Sequence, residues 1–376
     1  MKQIAVARNR KGIITLLCAM ALFIGMPVCV SAAGSNGKGA KLPAYKQVKK
    51  VQVDKEDFQR SLQNALEMAG RKASKSCQYK IVIPPGEYVL SHVLTIKSNI
   101  WIYAKGAKIT IADHVSRVMA TEPNKTYQNV RIEGGVWDAS SQTGSKEKRE
   151  MMLRFSHVKN MVLSGMTLKC KRNNHIVEVS DMNGFTVKNC KISGNSRYLQ
   201  VQPKEALQLD VATKAAMVNC TPYNGKGCHN VLITGNTFSD VSRGVGSHSY
   251  AKGAEKNPYT NITVEKNTFK DCKGEAIYFL YWKNCSVLKN KIYNAKHAGI
   301  YMQDSSLNKV QNNTIAGIGA YSGERAKTYG SDRAGVLMRN INRSRVISNQ
   351  ASGCKKAVME NPAGKRNVIK RNKKLR

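Results

Sequence analysis

The strongest constraint on the fold of this chain is a nine-residue segment that recurs nine times between residues 129 and 374. The copies align without internal gaps and begin at Asn129, Asn160, Gly184, Asn230, Asn261, Asn284, Leu307, Arg343 and Arg366. Several copies start 23 or 24 residues apart, whereas others are separated by 31, 36 or 46 residues. A constant minimum spacing with insertions at selected turns predicts a solenoid, because its loops can lengthen without disturbing the stacked core.

Two columns of the aligned copies predict how the coils stack. The fourth position is apolar in every copy: Ile132, Leu163, Val187, Ile233, Val264, Val287, Val310, Val346 and Ile369. Such a column indicates one strand per coil with a buried face. The seventh position of the last six copies is Asn236, Asn267, Asn290, Asn313, Asn349 and Asn372. Since stacked strands lie about 4.8 Å apart, these amides are predicted to bond one another as an Asn ladder.

Each coil also contains a second short strand-like segment. These segments cover residues 153–155, 177–179, 207–209, 245–247, 277–279, 300–302 and 336–338. From the third onward a small residue precedes the segment, at Ala206, Gly244, Ala276, Gly299 and Gly335, which suits a tight turn into the strand. Because side chains alternate along a strand, the middle residue of each segment is predicted to point outward.

This pattern resembles the right-handed parallel β-helix of the pectate-lyase and polygalacturonase superfamily, over residues 75 to 376. The segments 81–89, 94–96 and 100–102 look like the first coils of that family. The resemblance implies an all-β fold, a right-handed single-stranded parallel β-helix. The catalytic motifs of the family are not reproduced: Gly246-Ser247-His248 matches the polygalacturonase G-H-G motif only in part, and the pectate-lyase W-x-D-H signature is absent. The fold alone does not specify a chemistry.

The residues before the β-helix domain (75–376) divide into two parts. Residues 1–33 have the organisation of a Sec-type signal peptide, with a basic start, an apolar stretch from Ile13 to Val30 and a small-x-small cleavage site that ends at Ala32. Residues 34–74 combine a basic linker with an amphipathic helix predicted from Asp54, as its N-cap, to Gly70, as its C-cap, which would cover the open end of the solenoid. Later stretches fall short of the ~18 apolar residues that a spanning helix needs. We therefore expect a secreted or surface-associated protein without a membrane span.

The outward columns of four consecutive coils bring polar residues together. The candidate catalytic residues are Asp210, His248, Glu205 and Tyr278. The candidate substrate-binding residues are Arg243, Glu275, Tyr301 and Trp282. Carboxylates, imidazole and phenol can exchange protons, a guanidinium can bind a uronate carboxylate, and flat rings can pack against sugars. An Arg between two Glu is equally compatible with an ion-pair ladder in which the acids hold the guanidinium.

Several functions fit this set of residues. A hydrolase would use paired carboxylates, Asp210 with Glu205 or Glu275. A lyase or epimerase would need a neutraliser of the substrate carboxylate, which Arg243 or a bound Ca²⁺ could supply; no cofactor is certain, and the metal is unknown. The alternative to an enzyme is a non-catalytic glycan- or cell-wall-binding surface protein. The histidines His157, His229 and His297 fit none of these groups.

The charge of the chain indicates its partners. There are 61 Lys and Arg against 24 Asp and Glu, for a formal net charge of +37. Such a surface attracts polyanions over long distances, and salt weakens the attraction. For an exported protein the expected partner is an acidic polysaccharide or an anionic cell-wall polymer, and no nucleic acid is expected.

Two cysteines suggest a disulfide. Cys220 and Cys228 flank the loop-like segment 221–227, which an oxidising compartment could close into a bridge. A metal site is less favoured there, because neither a CxxC pair nor clustered histidines accompany them.

Overall fold

The computed structural model describes residues 38–142, 151–171, 174–196, 203–247 and 253–376. The predicted signal peptide lies outside these residues. They form 32 β-strands and two α-helices, α1 (Phe58–Lys72) and α2 (Gly323–Tyr329). In chain order the strands are β1 (Gln47–Gln52), β2 (Cys77–Val82), β3 (Gly86–Leu90), β4 (Leu94–Thr95), β5 (Ile100–Tyr103), β6 (Ala107–Ile111), β7 (Met119–Ala120), β8 (Tyr127–Glu133), β9 (Val136–Asp138), β10 (Leu153–Ser164), β11 (Thr167–Lys169), β12 (Val177–Lys188), β13 (Lys191–Ser193), β14 (Glu205–Asp210), β15 (Cys228–Thr234), β16 (Thr237–Ser239), β17 (Arg243–Ser247), β18 (Tyr259–Glu265), β19 (Thr268–Lys270), β20 (Ile277–Leu280), β21 (Trp282–Lys283), β22 (Ser286–Leu288), β23 (Lys291–Lys296), β24 (Ala298–Gln303), β25 (Lys309–Gln311), β26 (Thr314–Gly319), β27 (Ala334–Arg339), β28 (Arg345–Ile347), β29 (Gln350–Ala351), β30 (Lys356–Glu360), β31 (Val368–Lys370) and β32 (Lys373–Lys374).

The strands form two parallel sheets that wrap around a common core. Eleven strands, from β3 to β32, make one sheet, and the other 21 make the second. The second sheet covers two sides of each coil, because β10 and β12 bend sharply at His157 (φ 58°) and Asp181 (φ 47°). We call the side with β14, β17, β20, β24 and β27 face A, the side with β15, β18, β22, β25 and β28 face B, and the eleven-stranded sheet face C. The prediction of an all-β, right-handed single-stranded parallel β-helix with a capping helix is confirmed.

The apolar column of the repeat fills the interior. Val264, Val287, Val310 and Val346 are aligned on successive strands of face B, and each is at most 1% exposed. On face C aromatic rings stack in the same way: Phe238 and Phe269 have ring centroids 4.8 Å apart. Coil-to-coil stacking of like residues therefore forms the core.

The Asn ladder is present in full. Each amide Nδ2 donates to the Oδ1 of the next Asn at 2.9–3.1 Å, from Asn236 to Asn372. The same Oδ1 also accepts the backbone N–H of the preceding Asn, as between Asn267 and Asn290 at 3.0 Å. The ladder thus satisfies backbone and side-chain groups that the core would otherwise leave without partners.

We expect Asn290→Ala to lower the free energy of unfolding by about 1–3 kcal/mol, because it leaves the buried N–H of Asn267 and the carbonyl of Val264 without their partners. The neighbouring Lys289→Ala is the control, and should be nearly neutral. Thermal unfolding of the two variants checks the ladder, and equal melting temperatures would contradict it.

A second column explains why most copies of the repeat begin with Asn or Gly. The backbone at this position has positive φ in all nine copies, from 51° at Arg343 to 81° at Gly184. Asn and Gly adopt this left-handed conformation most readily. The Asn side chains also bond along the stack, as Asn284 Nδ2 does to Asn261 Oδ1 at 2.8 Å. Sequence analysis did not predict this second ladder.

Leu307 breaks this column, with φ of 58° and 43% of its surface exposed. We expect Leu307→Asn to raise the free energy of unfolding by about 1 kcal/mol, since Asn tolerates the left-handed conformation better and little buried surface is lost. Leu307→Ala keeps the strain and is the matched control. A melting temperature of the Asn variant no higher than that of the Ala variant would contradict the assignment.

The N-terminal cap differs in its limits from the prediction. Helix α1 begins at Phe58 because Asp54 forms a turn, in which its carboxylate accepts the N–H of Glu56 at 3.0 Å. It continues through Gly70 to Lys72. Phe58 stacks on Tyr88 with centroids 4.4 Å apart, so the helix covers the first coils as expected. The prediction of a linker missed β1, which pairs in parallel with β2.

Candidate functional site

The outward columns of face A have the alignment that the sequence predicted. Glu205 pairs with Arg243 across β14 and β17, and Tyr278 pairs with Tyr301 across β20 and β24. Pointing outward does not leave these side chains in solvent, however. Glu205 is 5% exposed, Arg243 3% and Glu275 0%. The predicted residues therefore meet, but in a buried polar layer outside the sheet.

Arg243 is held between two carboxylates. Its Nη1 lies 2.7 Å from Glu205 Oε1, and its Nε lies 2.8 Å from Glu275 Oε2. Gly246 leaves room for this contact, since a Cβ there would lie 2.7 Å from Glu205 Cγ. Of the two arrangements that the sequence allowed, the structure has the ion-pair ladder, in which the acids occupy the guanidinium.

Two residues that the sequence did not assign complete this group. His297 Nδ1 lies 2.7 Å from Glu275 Oε1, and the Tyr321 hydroxyl donates to Glu275 Oε2 at 3.1 Å. Their rings stack with centroids 5.3 Å apart. His297 lies directly before β24, one position before the residue that is aligned with Glu275. Tyr321 comes from the insertion that carries α2. We call Glu205, Arg243, Glu275, His297 and Tyr321 the Arg243 cluster.

The charges of this cluster stabilise one another. Burial acts to raise the pKa of Glu275, but the charge of Arg243 and the hydrogen bond with His297 outweigh it and lower the pKa to about 2. Burial acts to lower the pKa of Arg243, and the two carboxylates raise it well above its usual value. Both groups therefore stay ionised over the whole physiological range.

The two tyrosines extend the cluster toward later coils. The Arg243 guanidinium lies over the Tyr278 ring at 4.2 Å, and the Tyr278 and Tyr301 centroids are 5.0 Å apart. The Tyr278 hydroxyl donates to Gln303 Oε1 at 3.0 Å. Tyr301 is only 3% exposed, so its ring packs against protein and does not present a free surface to a sugar.

A second polar group, the Asp210 cluster, lies on the preceding coils and consists of Arg154, Glu178, Gln208 and Asp210. Arg154 Nε donates to Glu178 Oε2 at 2.7 Å, and Gln208 Nε2 donates to Asp210 Oδ1 at 3.2 Å. Among the described residues, Asp210 Oδ2 and Gln208 Oε1 are buried and lack a hydrogen-bond partner. A buried polar atom without a partner calls for an explanation, such as a catalytic role or a bound water.

Asp210 differs from the other acids in its protonation. Complete burial, followed by the negative charge of Glu178, raises the pKa of Asp210 well above its usual value. Glu178, by contrast, accepts the ion pair of Arg154. The cluster thus sets a carboxyl of raised pKa beside a carboxylate that is paired with Arg154, and acid–base catalysis uses two carboxyl groups whose pKa values differ in this way.

The segment 211–227 covers the Asp210 cluster. Burial raises the pKa of the Cys220 thiol, and Ser180, Arg154 and Asp210 are the polar groups that act on it, so Cys220 lies above the cluster. The carbonyl oxygen of Cys220 is 2.6 Å from His157 Nε2. This contact fastens the segment to the bend of β10.

His157 makes this contact with the Cys220 carbonyl as a cation. Its Nδ1 lies 2.7 Å from Asp181 Oδ2, while Nε2 faces a carbonyl, so both nitrogens must donate. Burial acts to lower the pKa of His157, but the bonds to Asp181 and Cys220 outweigh it and raise the pKa. Sequence analysis did not predict this role, because the partners of His157 come from other segments of the chain.

Trp282 corrects the predicted set of substrate-binding residues. It is 0% exposed, stacks on Phe279 at 4.9 Å and donates from Nε1 to Ser247 Oγ at 2.9 Å. The chain turns at Tyr281 (φ 61°), so Trp282 starts face B with its ring inside the coil. It is a core residue and not a sugar platform.

The predicted disulfide between Cys220 and Cys228 is wrong, since both are free thiols. Cys228 points into the coil, where its Sγ donates to the carbonyl oxygens of Asp210 and Val179 at 3.5 and 3.6 Å. Cys220 belongs instead to the covering segment. Cys220 and Cys228 are close in sequence, but their side chains belong to different buried clusters, on opposite sides of the coil wall.

The predicted catalytic His248 lies outside the described residues. The described part of the chain contains no group of three or more His, Cys, Asp or Glu side chains that could hold a metal ion. The carboxylates of Glu205 and Glu275, which a cation would need, are used by Arg243. These residues therefore do not fit the Ca²⁺ that the sequence suggested.

Residues 225–373 match the family described as "Right handed beta helix region". The chain has a right-handed β-helix fold. No curated protein sequence matches it significantly. At 15% identity, and thus in fold alone, it is similar to PfbA, a surface adhesin of Streptococcus pneumoniae, with a TM-score of 0.59 over 87% of this chain and 92% of that chain.

The tailspike protein of E. coli bacteriophage HK620, solved in complex with a pentasaccharide, is also similar to this β-helix protein. The identity is 15%, and the TM-score is 0.55 over 87% of this chain. The β-helix protein spans 64% of the tailspike chain. Within the described residues of the present protein, neither helix is long and apolar enough to cross a membrane.

We expect Asp210→Asn to raise the melting temperature at pH 7. The folded pKa of Asp210 lies above its unfolded value, so stability is lost as pH rises from about 4 toward the folded pKa, and Asn removes that loss. The difference should shrink as pH falls to about 4. Asp181→Asn is the control of opposite sign: burial opposes ionisation there, but the bonds with His157 and Asn224 lower its pKa. An Asp210→Asn variant less stable at pH 7 would contradict the assignment.

Proposed function

We propose that this β-helix protein is an exported glycoside hydrolase that acts on an acidic polysaccharide, with Asp210 as its general acid. The observation that supports this proposal most directly is the Asp210 cluster. It sets a carboxyl of raised pKa, with one oxygen that has no hydrogen-bond partner among the described residues, beside Glu178, which is paired with Arg154. Glycosidases need two carboxyl groups in opposite protonation states.

The proposed reaction follows from these protonation states. Asp210 donates its proton to the oxygen of the glycosidic bond as the bond from the sugar carbon to that oxygen breaks. Glu178 takes a proton from the water that adds to the same carbon. The products are two shorter chains, one with a new reducing end, and the carboxyl groups exchange protons with solvent to regain their starting states.

Hydrolysis is better supported than elimination. A lyase must neutralise the carboxylate of the uronate before it removes a proton. The two buried cations near the site, Arg154 and Arg243, are already paired with Glu178 and with Glu205 and Glu275. A general acid, in contrast, is available in Asp210.

Access to Asp210 requires movement of the covering segment 211–227, because this carboxyl has no exposed surface. The imidazolium of His157 fastens that segment through the Cys220 carbonyl. Loss of the His157 proton removes one of its two donors, so the cover loosens as pH rises through the raised pKa of His157. Opening is thus part of the proposed reaction cycle.

The substrate class and the location rest on charge and on similar folds. The net charge of +37 favours an anionic polymer. A surface adhesin and a tailspike in complex with a pentasaccharide have similar folds, which supports a carbohydrate-related role outside the cell. We propose that the protein is secreted or associated with the cell surface.

A non-catalytic glycan-binding surface protein is the second candidate. It is favoured by the burial of the Arg243 cluster, in which each predicted carboxylate already has a cationic partner. In this case the polar layer on face A only stabilises the stack of coils, and the protein binds the glycan without cleaving it.

Incubation of the protein with a panel of uronic-acid polymers tests the proposal. We expect new reducing ends without ultraviolet-absorbing unsaturated products, and a loss of turnover of about 100-fold or more in Asp210→Asn and in Glu178→Gln. Lys289→Ala is the control and should keep full activity.

Other results would separate the alternatives. Unsaturated products would indicate a lyase. Binding without products from any polymer would favour the surface protein, and full activity in Asp210→Asn would move the site elsewhere. His248→Ala, measured in the same assay, tests the predicted catalytic role of that residue.

A further inference from the structure

The last two coils carry a charge excess that the proposed site does not use. Residues 333–376 contain 13 Lys and Arg but one acid, Glu360, whereas the whole chain has 61 and 24. All of these residues are described. The excess therefore belongs to folded coils and not to a tail.

On face B part of this charge forms a stripe over four successive coils, interrupted by Ser286 and Ser306. The stripe consists of Lys283, Lys309, Arg343, Arg345, Lys365 and Arg366. Lys309 and Arg345 are direct neighbours on β25 and β28, and the backbone N–H of Arg343 bonds to the carbonyl of Lys365 on the next coil at 2.9 Å. Because coils stack about 4.8 Å apart, the stripe places cations along the axis over four coils. We call it the basic stripe.

The cations of the basic stripe are available to a ligand. Within the described ranges, none of the six forms an ion pair, whereas Arg154 and Arg243 on face A do. The four arginine and lysine residues of its last two coils are exposed. Adjacent like charges repel one another, so they lower the stability of the coils unless an anion binds between them.

We infer that the basic stripe is a docking surface for the anionic polysaccharide, separate from the Asp210 cluster. The identity of the polymer rests on the proposed function. Residues 331–376 contain no aromatic residue, so the stacking platforms that bind single-stranded nucleic acids are missing there. A row of cations at the coil spacing instead suits a linear polymer with one carboxylate on each sugar unit.

The stripe and the proposed catalytic cluster lie on different faces and different coils. Four coil steps separate β14, which carries Asp210, from β27, which directly precedes Arg343. This corresponds to about 19 Å along the axis. A long polymer can reach both places, whereas a short oligosaccharide reaches only the cluster. The stripe therefore affects affinity for the polymer and not the chemical step.

The test compares two triple variants that lose the same charge. The first is Arg343→Gln, Arg345→Gln and Arg366→Gln in the stripe; the second is Lys72→Gln, Lys75→Gln and Lys105→Gln, at exposed positions near the N-terminal coils. Binding to polygalacturonate is measured against salt concentration. We expect the stripe variant to bind at least tenfold more weakly and its log–log salt slope to be shallower by about 2, since three contacts are lost. The control triple should bind as the unmodified protein does.

Each outcome decides between named alternatives. Equal losses in the two triples would mean that net charge alone binds the polymer, and would overturn the docking surface. Equal or tighter binding of duplex DNA, or of phosphatidylserine vesicles, would overturn the polysaccharide as its partner.

Turnover of short oligosaccharides separates this inference from the proposed function. The stripe variant should retain turnover, and Asp210→Asn should lose turnover but bind the polymer normally. If the stripe variant binds the polymer with full affinity, the docking surface is contradicted even when Asp210→Asn is inactive. If Asp210→Asn is fully active, the proposed catalytic site is contradicted even when the stripe variant binds weakly.

Discussion

Parallel hydrogen bonding between successive coils is the interaction on which the rest of this molecule depends. It aligns each coil with the next, so residues 21 or more positions apart in sequence become neighbours about 4.8 Å apart. Every property then appears as a column: apolar columns form the core, and the amides from Asn236 to Asn372 form the ladder. A buried polar group in such a column has a partner above and below, which is why the interior tolerates amides at all.

The same alignment explains the polar layer on face A. Glu205, Arg243 and Glu275 occupy one column, and their alternating charges compensate the cost of burial. Asp210 has no such partner. Complete burial, followed by the negative charges of Glu178 and Glu205, raises its pKa well above the usual value, and one of its oxygens has no hydrogen-bond partner among the described residues. Stability and candidate chemistry thus occupy adjacent columns of one surface.

The basic stripe follows the opposite rule. On face B cations are stacked on cations near the last coils, without the acids that neutralise Arg243. A column of like charges costs stability, so it is better explained by a ligand than by the fold. The β-helix therefore separates a compensated polar face from an uncompensated one.

How much the sequence predicted varies with the range of the interaction. Columns with a strict period, such as the valines from Val264 to Val346 and the Asn ladder, could be predicted because the repeat itself encodes which residues become neighbours. The limits of α1 were shifted, since a local turn at Asp54 competes with the helix.

Contacts made by insertions could not be predicted in this way. Tyr321 reaches Glu275 and Cys220 reaches His157 from loops that have no counterpart in other coils. Trp282 was predicted to face a sugar outside the coil, but the positive φ of Tyr281 turns the next side chain inward. The sequence by itself determined the solenoid and the columns of its coils. Only the tertiary structure decided which outward residues are buried and which carboxyl keeps its proton, because burial and charge depend on the loops that cover each face.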